Sequence, residues 1–263
     1  MNFEGEFEGK AVVVTGATGL YGSRIVQAFA DEGARVCLTD LDQADLDRVA
    51  DGMRLPEGSF AFAADLTDTA SMQALIAEVG ARFGAADVVV NNAGIYPSGF
   101  LLDIDVSDWD RIFDVNLRAP FVLSIGFARQ MIERKVKGAI VNVSSGASRK
   151  MRRTVVPYCT SKTALDRLTK GLALELAEFG IRVNALEPGF ASGSTVSLLA
   201  DEHVSRATAS VPLGRESTEA DLRPAVLYLS SAAAEYVTGA TLTVDGGNSI
   251  GSLDVYQDKK HPL

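Results

Sequence analysis

Short β-branched runs alternate with longer amphipathic stretches along the whole chain. No other feature narrows the fold as far, because parallel strands joined by helical crossovers leave this rhythm in a sequence. Ala11 to Thr15 reads as the first strand. Leu20 to Asp31 has helical periodicity and stops at Gly33, a natural left-handed cap, before Arg35 to Thr39 resumes as strand. Further strands are expected at Ser59 to Ala64, Asp87 to Asn91, Ala139 to Ser144, Arg182 to Leu186 and Thr241 to Val244. Several are apolar on both faces, as buried parallel strands are. Ser107 with Asp110, and Thr218 with Asp221, resemble capping boxes that open helices. The expected architecture is a doubly wound parallel β-sheet flanked by helices in three α/β/α layers.

At 263 residues and 47% hydrophobic, the chain has enough apolar material for one large core, and nothing in it resembles a linker or repeat. Residues 1–263 therefore read as one domain. The segment from Phe190 to Ser217 breaks the rhythm and is expected to be a lid over a substrate pocket. A formal net charge of −9 argues against attraction to nucleic acid or an anionic membrane, and no apolar run approaches a membrane-spanning length. Cys37 and Cys159 stand far apart, which favours reduced thiols and a cytoplasmic setting. The acidic start, Met1 to Glu8, lacks the marks of a secretion signal and reads as a short lead-in to the first strand. His203 and His261 have no cysteine at ligand spacing, so no catalytic metal is expected.

Directly after the first strand comes Thr15-Gly16-Ala17-Thr18-Gly19-Leu20-Tyr21-Gly22, a glycine-rich turn that opens into a helix. Glycines there allow a tight turn and let backbone N–H groups approach a pyrophosphate. Asp40 follows the second strand, where a carboxylate accepts from the adenosine ribose hydroxyls and repels a 2′-phosphate, so NAD is expected in preference to NADP. Asp65 and Leu66 follow the third strand and Asn91-Asn92-Ala93-Gly94 the fourth, on the same sheet edge. Tyr158 and Lys162 are four residues apart, on one face of a helix. A nearby ammonium favours the phenolate, which makes Tyr158 a candidate acid/base.

Together these motifs resemble the short-chain dehydrogenase/reductase family, from Lys10 to Gly247. The resemblance also takes in Asn116, the pair Ser144-Ser145, Pro188-Gly189 and the closing Val244-Asp245-Gly246-Gly247. It implies a Rossmann-type domain with Asn116, Ser145, Tyr158 and Lys162 as the catalytic set. Ser145 would hold the substrate oxygen, Lys162 the nicotinamide ribose and Asn116 a water in the proton path. It implies cofactor contacts from Gly16, Thr18, Gly19, Leu20, Tyr21, Gly22, Asp40, Asp65, Leu66, Asn92, Ala93, Gly94, Tyr158, Lys162, Pro188 and Gly189. A homodimer or homotetramer would form through the helices around Ser107 to Arg134 and Tyr158 to Phe179. Two positions depart from the pattern. The turn is spaced Gly16, Gly19, Gly22 with Leu20 where a glycine is usual, and Gly193 stands where the family tends to carry a threonine, leaving Ser192, Ser194 and Thr195 as candidates for that role.

The basic run Arg149-Lys150-Met151-Arg152-Arg153 lies between Ser145 and Tyr158 on an otherwise acidic chain, and by the family layout borders the substrate cleft. Arg149 and Arg152 or Arg153 are candidates to bind an anionic substrate, with solvated charge or a subunit contact as the alternative. The expected activity is NAD-dependent oxidation of a secondary alcohol in a small polyol, sugar, sugar acid or hydroxy acid. Alternatives are a 3-oxoacyl-thioester reductase and a dinucleotide-sensing regulatory protein. Asn248 to Leu263 run past the closing motif without a readable role.

Overall fold

A computed structural model describes residues 3–193 and 201–251. Among the described residues seven parallel strands form one sheet, in the order β3-β2-β1-β4-β5-β6-β7. They are β1 Ala11–Thr15, β2 Arg35–Asp40, β3 Phe60–Ala63, β4 Val88–Asn91, β5 Ala139–Val143, β6 Arg182–Pro188 and β7 Thr241–Val244. The helices are α1 Leu20–Asp31, α2 Gln43–Asp51, α3 Thr69–Phe83, α4 Val106–Phe113, α5 Ala119–Arg134, α6 Val156–Leu176, α7 Asp201–Ala209 and α8 Glu219–Ser230. All seven expected strands form, with ends displaced by a residue or two, and α1 matches its expected bounds.

The apolar runs divide by alternation. Val12, Val14, Val88, Val90 and Val141 face α1 and α8, packing with Ile25, Phe29, Leu222 and Val226. Val13, Val89, Ile140 and Val183 face α3, α5 and α6, packing with Leu75, Leu123, Phe127 and Leu172. The winding reverses between β1 and β4, and at such a switch point the carboxyl ends of the strands diverge into a crevice.

Four local readings change. The lead-in is part of the core: Phe3 and Phe7 are buried, and the Phe7 ring meets Phe29 edge-on at 5.2 Å between centroids. Helix α4 begins after Asp105, which makes no side-chain cap, so Ser107 lies inside the helix rather than at its start, whereas the Thr218–Asp221 box opens α8 as expected. Between α4 and α5 the chain widens into a π-helical turn, Asp114–Arg118. Part of the expected lid is helical, as α7; Ser194 and Thr195, and the extension beyond residue 251, lie outside the described residues.

Candidate active site

The glycine turn is built to exclude side chains. Gly16 adopts φ +64°, and a Cβ there would sit 2.8 Å from Ala93 Cα; at Gly22 it would sit 1.9 Å from the Gly16 carbonyl oxygen. Asn92 braces the turn, its Nδ2 donating to the carbonyls of Thr15 at 2.9 Å and Gly16 at 3.1 Å. Thr15 Oγ1 in turn accepts from the Asn92 and Ala93 amides, both at 3.0 Å. Asn92 and Ala93 thus shape the turn, and Thr15 is a bracing residue that sequence reasoning missed. Gly19 caps α1 without a side-chain hydrogen bond, and no acidic residue occupies the first turn. A close-packed turn with uncapped amides suits a dinucleotide diphosphate. Asp40, ending β2, accepts from the Thr18 amide at 3.0 Å and Thr18 Oγ1 at 2.6 Å. Asp65 is exposed and closes its own turn, accepting from the Thr67 amide and hydroxyl, which hold its carboxyl below the usual range; Leu66 beside it is buried.

The four catalytic candidates converge at the carboxyl edge of β4 and β5. Asn116 is fully buried in the π turn, with Oδ1 accepting from the Ile95 amide at 2.9 Å and Nδ2 donating to the Ile95 carbonyl at 2.9 Å and Ser161 Oγ at 3.1 Å. A Cβ on Gly94 would touch both Lys162 Nζ at 3.4 Å and Asn116 Oδ1 at 3.5 Å, so all three meet at one point. Lys162 Nζ donates to the Val143 carbonyl at 2.8 Å and lies 5.8 Å from the Tyr158 ring centroid. Burial draws its pKa down from 10.5 to about 8 against the pull of Asp166.

The Tyr158 phenol behaves differently from the sequence expectation. Burial pushes its pKa above the ordinary tyrosine value, and the groups that pull it back are a hydrogen bond with Ser145 and the Arg152 guanidinium. The Lys162 ammonium, 5.8 Å from the ring centroid, does not offset that burial. Tyr96, which the sequence did not single out, packs on Tyr158 at 5.6 Å between ring centroids. Tyr21 donates its hydroxyl to the Gly189 carbonyl, joining the glycine turn to the Pro188-Gly189 turn. Ser192 gives its amide to Glu216 at 2.7 Å.

The basic run splits in three. Arg149 turns inward to Glu187 at 2.5 Å. Arg153 lies over the Phe100 ring at 5.1 Å. Arg152 is the member whose charge reaches Tyr158. Among the described residues no helix is long and apolar enough to cross a membrane.

A glycine turn at the switch point beside a Ser-Tyr-Lys-Asn cluster is the arrangement of a dinucleotide-dependent oxidoreductase, and comparison with known proteins agrees. The family model described as Enoyl-(Acyl carrier protein) reductase matches residues 17–249. Galactitol 2-dehydrogenase of Agrobacterium fabrum is 34% identical over 251 residues, covering 91% of this chain and 97% of that protein. The 3-oxoacyl-(acyl-carrier-protein) reductase FabG of Thermotoga maritima is 34% identical over 241 residues, covering 91% and 98%. A solved structure assigned as an NAD(P)-dependent gluconate 5-dehydrogenase from Beutenbergia cavernae, with NADP bound at low occupancy, superposes with a TM-score of 0.85 at 34% identity, covering 94% and 99%. The chain belongs to the short-chain dehydrogenase/reductase family, enzymes that interconvert alcohols and carbonyl compounds with NAD(P).

Proposed function

We propose that this protein is an NAD-preferring dehydrogenase of a small polyol, sugar, sugar acid or hydroxy acid. The observation that carries the reading is the convergence of Ser145, Tyr158, Lys162 and Asn116 beside a glycine turn with uncapped amides. The nicotinamide coenzyme, when bound, supplies the hydride acceptor. Gly16, Thr18, Gly19, Leu20, Tyr21 and Gly22 would line its diphosphate, Asp40 its adenosine ribose, and Asn92, Ala93, Gly94, Pro188 and Gly189 its nicotinamide half.

As the phenolate, Tyr158 takes the substrate hydroxyl proton during oxidation; as the neutral phenol it returns that proton during reduction. Ser145 hydrogen-bonds the same oxygen and aligns it with the phenol. Lys162 holds the nicotinamide ribose and, with Asn116, carries the proton toward solvent. Arg152, whose charge acts on Tyr158, would pair with a carboxylate on the substrate. The Asp40 carboxylate supports NAD, since a 2′-phosphate beside it would meet like charge. A homo-oligomer fits the apolar groove lined by Phe113, Leu117, Phe121 and Leu168. The relatedness to an acyl-carrier-protein reductase supports thioester reduction as the second reading, and coenzyme preference separates the two.

The test is a panel of polyols, sugar acids and 2-hydroxy acids with NAD and with NADP, following the reduced coenzyme. Tyr158→Phe should lower kcat on the active substrate by on the order of 10²–10⁴-fold. Arg152→Ala should raise KM for carboxylated substrates by roughly tenfold and spare neutral polyols. Equal effects on both would remove the anion-binding role, and preference for NADP would overturn the coenzyme assignment.

A further inference from the structure

Glu187 is a fully buried carboxylate, 0% exposed, on β6 immediately before Pro188 and Gly189, close enough to Asp166 for the two charges to interact. A buried charge is tolerated only when it is paired and hydrogen-bonded on every side, and Glu187 meets that condition. Its Oε1 accepts from Ser148 Oγ at 2.7 Å; its Oε2 accepts from Arg149 Nη2 at 2.5 Å and Thr243 Oγ1 at 2.7 Å. Arg149 Nη2 also reaches Thr243 Oγ1 at 2.9 Å and Ser249 Oγ at 2.6 Å.

These partners converge on one short turn. Ser145 Oγ accepts from the Ala147 amide at 3.2 Å, closing the Gly146–Ser148 turn, and the Ser148 carbonyl accepts from Thr163 Oγ1 at 2.7 Å. Thr163 follows Lys162 on α6. From the other side Ser249 packs so closely that a Cβ on Gly146 would lie 2.9 Å from Ser249 Cβ. The residue that aligns the substrate oxygen therefore sits on a turn held by β6, β7, α6 and the segment after β7, with Glu187 at the centre. A well-packed apolar side chain would serve stability as well as a buried carboxylate, so the charge is better explained by the geometry it enforces.

We propose that Glu187 is a positioning residue: through Ser148 and Arg149 it fixes the turn bearing Ser145, and so sets where the substrate oxygen lies against Tyr158. Arg149 is then the far end of this strap and not a substrate ligand. The proposal rests on the dehydrogenase reading for the role of Ser145, while the strap itself does not.

The test compares Glu187→Gln, Arg149→Met, Arg149→Lys and the double variant Glu187→Gln/Arg149→Met in the full-length protein. Arg149 is half-exposed, so its variants fold even if Glu187→Gln does not. Hydrogen–deuterium exchange should quicken in peptides spanning residues 144–154 in Glu187→Gln and Arg149→Met. Binding of NADH, read by its fluorescence, should change by less than about twofold. With the substrate found active, kcat should fall by roughly 10–100-fold, because a misplacement of about 1 Å costs that much. The double variant should lose no more than the worse single, since both break one device, and Arg149→Lys should recover part of the rate. Unchanged exchange, unchanged kcat, or losses that multiply in the double variant would each overturn the proposal. Exchange needs no substrate, so a wild-type protein inert toward every alcohol would sink the dehydrogenase reading and still leave the strap to be judged on its own.

Discussion

Lys162 keeps an ammonium where water scarcely reaches, 3% exposed and resting on one backbone carbonyl. That has a consequence for stability as well as for catalysis. Burial lowers its folded-state pKa to about 8, while in the unfolded chain it titrates near the ordinary 10.5. Between those values the unfolded chain binds more protons than the folded one, so this group makes stability rise with pH across the window. Lys162→Met has no such group. In urea melts of coenzyme-free protein, the stability of the wild type relative to Lys162→Met should climb from about pH 8 to 10.5; a difference that stays flat would show that the ammonium is not penalised. Tyr158 shows the complementary effect. The sequence placed it correctly beside a cation, yet burial dominates its pKa, and that balance depends on Ser145, Tyr96 and Arg152 arriving from other segments.

At the scale of elements, local chemistry was largely legible. The α1 boundaries, the Gly33 stop at φ +82° and the α8 capping box follow from propensity and side-chain reach, which act within a few residues. In that box Thr218 and Asp221 bond reciprocally, and Asp221 additionally holds Arg215 through two contacts of 2.7 Å. Thr218→Ala should lower stability by about 1 kcal/mol, and Asp221→Ala should cost more because it releases Arg215 as well. Equal midpoints in denaturant would count against this cap. The π turn at Asp114–Arg118 was not legible. Its sequence continues an α-helical pattern, and the widening that buries Asn116 is held by distant partners, Ile95 and Ser161.

For the molecule as a whole, two apolar layers share one sheet, and a crevice opens at the strands' carboxyl ends where the winding reverses. A ligand bound only by the folded chain adds stability, about 2.7 kcal/mol at a hundredfold excess over Kd. For a chain of this size that raises Tm by roughly 5–10 °C. NAD should therefore give a larger thermal shift than NADP at equal concentration, through Asp40. Equal shifts would refute the coenzyme preference without touching the fold.

The sequence by itself determined the strand and helix order, the two-faced apolar pattern, the glycine turn and the spacing of Tyr158 and Lys162, because sheet and helix periodicities and short turns are written in neighbouring residues. Only the tertiary structure decided that Phe3 and Phe7 join the core, that Tyr21 reaches Gly189, and that Arg149 turns inward to Glu187 while Arg153 lies over Phe100. Those choices depend on which residues, from tens to well over a hundred positions apart, the crossovers bring to one sheet edge. A charged side chain selects the partner that relieves its burial, and that partner is not its neighbour in the chain.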